Sequence, residues 1–354
     1  MYKKGMKLAL TVAVALLASG CGGGQASQPA SISSESQSET TAKEADSKDA
    51  VVIKVGHVVS EESSFHFGME KFQELVAEKT QGRYQIEIYP NSQLGGERDL
   101  VEGVQMGTVG MTVVASSVMA NFVPTLAAVD LPYLIRDQEH ADQVFLGDVG
   151  NQFMADIDAA GMKCLTFWEV GFRNFQCNRN QVNSLADIKG MKVRTMENKI
   201  HQDIWRNWGA DPVPMAFAES YTAMQQGALD AYEAPTLNCY TLNIQDVCKY
   251  FSTIEYVYTA APVVISEEIW NAMSAEDQQI FLEAAMEAGT YEREENRRQE
   301  KDAEQKLADA GMEIAHPDKE EFAAACEPIY EKYDAEYGDI IRKIKETGVK
   351  SGKE

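Results

Sequence analysis

Two arginines carry the most specific chemistry in this chain. Arg194 closes a short β-branched run, Lys192-Val-Arg-Thr195, that follows Gly190. It therefore stands at the carboxyl end of a strand, the edge at which open α/β sheets hold their ligands. Arg173, in Gly171-Phe-Arg-Asn-Phe175, opens the same stretch of chain. A guanidinium presents a planar fork of donors that matches a carboxylate. A single arginine more often ends in a surface ion pair; two in one α/β unit point to a carboxylate-bearing ligand.

The elements that must position them follow from local signals. Lys199 to Trp208 reads as a helix stopped by Gly209, and Asp211-Pro-Val-Pro214 as extended chain, because the two prolines forbid a helix there. A second helix begins near Glu219 and stops at Gly227. Upstream, Val51 to His57 reads as a buried strand, and the loop to His66 brings His57, Ser63, Ser64 and His66 to the strand end as binding candidates. Phe67 to Thr80 has helical spacing, Tyr84 to Tyr89 alternates as a strand, a helix ends near Gly107, and Val109 to Val114 is a third strand. Glu97 to Val109 echoes Phe217 to Leu229, with Gln105 matching Gln225 and Gly107 matching Gly227. The echo implies two lobes built on one unit, with Glu97 and Phe217 at equivalent helix starts facing a shared cleft.

Trp168 to Arg173 reads as one crossing between the lobes and Val257 to Ile265 as another, which together make a hinge of the kind that closes around ligands. Ser274-Ala-Glu-Asp277 has the form of a capping box for a long helix reaching about Ala310. A strand at Gly311–Ala315 and closing helices over Lys319–Lys345 complete the chain. The expected lobes are residues 51–170 with about 258–290, and 171–257 with about 291–350.

The same residues resemble a family. Asp187-Ile-Lys-Gly-Met-Lys-Val-Arg194, then Pro214-Met-Ala-Phe217-Ala-Glu219-Ser-Tyr221 and Gln225-Gln-Gly227-Ala-Leu-Asp230-Ala-Tyr-Glu233, is similar to the pattern of solute-binding proteins of TRAP (tripartite ATP-independent) transporters, the DctP type. Gly82 to Gly95 and Asp130-Leu-Pro-Tyr-Leu134 add to the likeness, which covers roughly Val51 to Lys345. The resemblance implies a two-lobed α/β periplasmic-binding-protein-like fold with hinge strands and a long helix spanning both lobes. It also implies delivery of an organic acid, a sugar acid such as a uronate or a C4-dicarboxylate, to TRAP permease membrane subunits driven by an ion gradient. By position, Arg194 becomes the main carboxylate clamp, Arg173 the second cation and Phe217 the apolar packing group, while Glu97 and Ser116 read ligand hydroxyls or an amine. The chain departs from the pattern at Ala234, where the family has Asn; Asn238, one helical turn later, is the candidate substitute. The Trp168–Asn174 stretch adds Trp168 and leans the ligand toward a hydroxylated acid.

Charge and targeting bound the remaining possibilities. The 354-residue chain carries a net charge of −23, which argues against nucleic acid and anionic membrane surfaces as partners. Lys3, Lys4 and Lys7 precede an apolar run from Leu8 to Leu17, too short to span a bilayer. Leu17-Ala-Ser-Gly-Cys21 then resembles a lipobox, making residues 1–20 a lipoprotein signal and Cys21 the lipidated, membrane-anchored N-terminus outside the cytoplasm. Removing three lysines from −23 leaves −26. Residues 21–50, rich in Gly, Ser, Gln and Glu, read as a disordered tether reaching roughly 30 Å. Five further cysteines form no C-x-x-C pair and read mostly as buried thiols. No metal-ligand spacing, nucleophile motif or cofactor fingerprint occurs, so an exported enzyme ranks below a transport binding protein. A sensory binding protein serving a receptor kinase shares every site residue and differs only in partner.

Overall fold

The structure is a computed structural model and describes residues 50–348. The signal, Cys21 and nearly all of the tether lie outside the described residues. In chain order the elements are β1 (Val51–Gly56), α1 (Ser64–Lys79), β2 (Tyr84–Tyr89), α2 (Glu97–Gln105), β3 (Met111–Val113), α3 (Ser116–Met119), α4 (Gln138–Phe145) and α5 (Asp148–Ala159). Then come β4 (Met162–Phe172), β5 (Asn174–Cys177), β6 (Lys192–Thr195), α6 (Lys199–Asn207), β7 (Asp211–Pro214), α7 (Phe217–Gln225), β8 (Ala231–Ala234) and α8 (Thr236–Thr241). The chain ends with β9 (Tyr250–Ser252), β10 (Tyr258–Ser266), α9 (Glu267–Ala272), α10 (Ala275–Asp309), β11 (Glu313–Ala315), α11 (Lys319–Ala324) and α12 (Glu327–Glu346).

Two sheets result, one per lobe. The first has strand order β2-β1-β3-β10-β4 and the second β11-β9-β5-β8-β6-β7. Parallel pairs β1–β2, β1–β3, β6–β7 and β6–β8 place strand carboxyl ends on one edge of each sheet. Pro212 and Pro214 are tolerated because β7 is an edge strand. Helix starts differ from the sequence reading at two places. α1 begins at Ser64 instead of Phe67, because the Ser63 hydroxyl accepts the His66 N–H and caps the helix earlier. α7 begins at Phe217 instead of Glu219, directly after the extended Pro214–Ala216 chain. β1 is buried only in its second half, with Val51 and Val52 exposed.

β4 and β10 pair along almost their whole length and carry the chain between the sheets. At the crossing the Arg173 N–H bonds the Val257 carbonyl, and the Tyr256 N–H bonds the Arg173 carbonyl. The 35-residue α10 packs on α1 and β4 in its first half and on α8 and β11 toward its end, so it spans both lobes. Its close approach to β4 needs small residues. A Cβ on Gly289 would lie 2.8 Å from Trp168, and one on Gly68 of α1 2.9 Å from the same indole. The Trp168 ring thus fills the seam between α1, α10 and β4, its Nε1 donating to the Ala285 carbonyl at 3.4 Å. The five cysteines among the described residues are free and buried, as their composition suggests.

One acid is buried in that seam. Glu292 of α10 accepts the Glu169 N–H at 3.0 Å through Oε2, while Oε1 has no hydrogen-bond partner among the described residues. Burial raises its pKa to about 8, against the pull of the Glu169 N–H and the Ser64 hydroxyl. An acid whose folded pKa is raised stabilises the fold fully below its ordinary value of 4.5 and loses that contribution as pH climbs to about 8. Glu292→Gln should therefore raise the melting temperature by an amount that grows by several degrees from pH 5 to pH 8 and then levels off. A pH-independent difference in calorimetry would contradict the buried neutral acid.

Candidate functional site

The strand edges of the two sheets face one cleft. The first lobe contributes Val58 and Val59 from the loop after β1, Phe65 of α1, Glu97 at the start of α2, Ala115 and Val170. The second lobe contributes Arg173, Arg194 of β6, Met196 and Phe217 at the start of α7. Tyr232 and Ala234 of β8 and Asn238 of α8 complete that side. The space between the walls is about 30 Å³, room for about one water, so an organic ligand enters only when the lobes part.

Both guanidiniums are buried and held. Arg194 donates from Nε and Nη2 to the Met215 carbonyl at 3.0 and 2.7 Å and lies 5.3 Å from the centre of the Tyr232 ring. Arg173 forms an ion pair with Glu233 and donates from Nη2 to the Glu233 carbonyl at 2.8 Å. Antiparallel register supports this pairing: Glu233 sits opposite Phe175, and Arg173, two residues earlier on the same face, reaches it diagonally. Burial opposes ionisation of Glu233, but Arg173 and His201 hold its pKa at about 2. Among the described residues neither arginine's Nη1 has a hydrogen-bond partner, so each keeps a donor for a ligand. Across the cleft, Glu97 accepts the Ala115 N–H at 2.7 Å. Burial raises its pKa, while the Ala115 N–H and the charges of Arg194 and Arg173 pull the other way.

Arg173, Arg194, Glu97, Phe217 and Asn238 thus come together, and the helix starts at Glu97 and Phe217 face one cleft as the echo implies. Six other candidates lie elsewhere: Ser63 caps α1, and the Ser64 hydroxyl accepts from the Asn296 amide at 3.0 Å. Trp168 is in the α1–α10 seam. His57 bonds His66 at 3.2 Å beneath the loop, and burial and His66 lower its pKa to about 3. His66 lies near Glu70, 3.7 Å away. Ser116 is fully buried one residue beyond the lining Ala115, its hydroxyl without a partner among the described residues.

Sequence reasoning missed a buried polar chain behind Arg173. Glu233 also accepts the Tyr256 hydroxyl at 2.8 Å and the Met196 N–H at 3.3 Å. His201 of α6 lies 3.9 Å from Glu233 through Nδ1 and 3.1 Å from Asp130 through Nε2. Asp130 accepts the Ser117 hydroxyl at 2.5 Å and the Asn198 amide at 2.8 Å. Asp130 and Ser117 stand among first-sheet elements and His201, Asn198 and Glu233 among second-sheet ones, so the chain ties the lobes together. Tyr256, four residues past the end of β9 in the connection to β10, links it to the hinge.

A model of the bacterial extracellular solute-binding protein family 7 (DctP) matches residues 55–336. The chain belongs to this family. It is 32% identical to the 2,3-diketo-L-gulonate-binding periplasmic protein of Escherichia coli over 74% of this chain and 80% of that protein. It is 32% identical to the C4-dicarboxylate-binding periplasmic protein of Rhodobacter capsulatus over 79% and 84%. A TRAP solute-binding protein from a Polaromonas species, solved with D-erythronate, superposes with a TM-score of 0.83 at 33% identity, covering 85% of this chain and all of that one. This chain is accordingly an extracytoplasmic TRAP solute-binding protein of the DctP type with the two-lobed fold, and its relatives are transport proteins that bind small acids.

The buried chain makes closure sensitive to His201. Burial lowers the pKa of His201, but Asp130 and Glu233 outweigh it and hold it above the ordinary 6.5. A raised histidine contributes stability fully below 6.5 and loses it as pH rises through the folded value. His201→Gln should cost about 3 kcal/mol at pH 6 and clearly less at pH 9 in urea unfolding. An equal cost at both pH values would mean that the imidazole is neutral.

Proposed function

We propose that this protein captures an organic acid between its lobes by an arginine–carboxylate clamp and delivers it to TRAP permease membrane subunits. The observation that carries this is the pair of buried guanidiniums, Arg173 and Arg194, that line one interlobe cleft. Arg194 is the principal clamp, since among the described residues its only hydrogen-bond partner is the Met215 carbonyl and no carboxylate forms an ion pair with it. Arg173 is the second cation. Phe217 packs on the ligand carbons, Glu97 reads a hydroxyl, and Asn238 takes over from the family's missing Asn at Ala234. Trp168, His57, His66 and Ser116 act one layer back, fixing the walls. The acids carried by the relatives above support a carboxylate ligand, with a hydroxylated acid favoured.

The same reading assigns 51–170 with about 258–290 to the first lobe and 171–257 with about 291–350 to the second, which sheet membership supports. It places the protein on the membrane through lipid on Cys21, with the segment up to residue 50 as tether, and it uses no cofactor or metal.

A carboxylate held bidentately by a guanidinium inside a closed cleft is much stronger than an exposed pair. A thermal-shift panel of organic and sugar acids against residues 51–354 should give one class of hit. Arg194→Ala should lower affinity by about 100-fold or more, and Arg173→Lys by less. Retained affinity in Arg194→Ala would remove the clamp.

A further inference from the structure

The two walls of the cleft differ in kind, and the difference constrains the ligand beyond its carboxylate. We infer that the ligand is a short acyclic monocarboxylic acid with a hydroxyl close to the carboxylate and a hydrocarbon remainder. This rests on the reading above that Arg194 holds a carboxylate.

Charge sets the first limit. Arg173 is already neutralised by Glu233, which stays ionised. Among the described residues Arg194 is then the one lining cation without an ion-paired carboxylate, and Glu97 faces the same space from the other lobe. The cleft matches one negative charge. A second carboxylate would lie inside a strongly acidic protein with no cation of its own.

The first-lobe wall sets the second limit. Its lining side chains are Val58, Val59, Phe65, Ala115 and Val170, with Glu97 alone carrying polar atoms. Glu97 lines the same space of about 30 Å³ as Arg194 and Arg173, so the hydroxyl it accepts stands close to the ligand's carboxylate. Its Oε1 already takes the Ala115 N–H, leaving Oε2 for the ligand. Further hydroxyls directed at this wall would meet hydrocarbon, and each one left unpaired costs about tenfold or more in affinity. The facing wall carries the other polar groups, Asn238 and the Tyr232 hydroxyl, which has no partner among the described residues, beside the apolar Phe217, Met196 and Ala234. A branched alkyl group fits the first-lobe wall, which offers a ring bearing hydroxyls on both faces only Glu97 as a polar partner.

Titration calorimetry of the purified protein with 2-hydroxy-3-methylbutanoate, 3-methylbutanoate, D-glucuronate and succinate tests this. The hydroxy acid should bind at least about tenfold tighter than each of the other three. Val59→Thr, which adds a hydroxyl to the wall at similar volume, should narrow the margin over glucuronate. Glucuronate or succinate binding as tightly as the hydroxy acid, with loss in Arg194→Ala, would overturn the inference and leave the carboxylate clamp standing. Absence of binding by these four and by a wider panel of carboxylates would overturn both.

Discussion

The Arg173–Glu233 ion pair is the constraint around which the cleft is arranged. Both groups are buried, and a buried pair recovers its desolvation cost only when the remaining lone pairs and donors are satisfied. On the Glu233 side they are: it collects Arg173, the Tyr256 hydroxyl and the Met196 N–H, and stands beside His201, while Arg173 keeps Nη1 open among the described residues. One carboxylate therefore fixes the guanidinium at the ligand, the backbone after β6 and the hinge connection together. Through His201 and Asp130 the same chain reaches the other lobe. The electrostatics of the site and the geometry of closure are set by one network.

Closure also needs a frame that bends at defined places. The β4–β10 pair of the first sheet leads to the second lobe as a two-stranded connection, and α10 bridges the lobes along one side. α12 packs against α6 and α5 on another. Lobe motion is thereby confined to the segments around Arg173 and Val257, where the connecting backbone bonds to itself. On the proposed clamp, a ligand's charge would arrive where the hinge and the polar chain meet, which would couple binding energy to closure locally.

Much of this was legible from residue order. Arg194 could be placed because a short β-branched run followed by a capped helix locates a strand end, and the helix starts at Glu97 and Phe217 because two similar segments end in matching glycines. The loop after β1 showed which region nears the cleft but not which side chains enter it: Val58 and Val59 line it, while His57 turns inward to His66. Trp168 misled for a related reason. β4 is buried on both faces, so alternation carries no information about which side meets the ligand. Glu233, His201, Asp130 and Tyr256 were invisible as a group, because each alone reads as an ordinary polar residue. Their partnership depends on the β5–β8 register and on the docking of α6 against the other lobe, which no local pattern encodes.

The most direct measurement is a crystal structure of the protein with a bound organic acid. The account requires the ligand carboxylate within hydrogen-bond distance, about 2.9 Å, of the Arg194 guanidinium, with Arg173 still paired to Glu233 and the lobes closed over the ligand. A carboxylate bound away from Arg194, or a ligand held by one lobe with the His201–Asp130 contact broken, would contradict it.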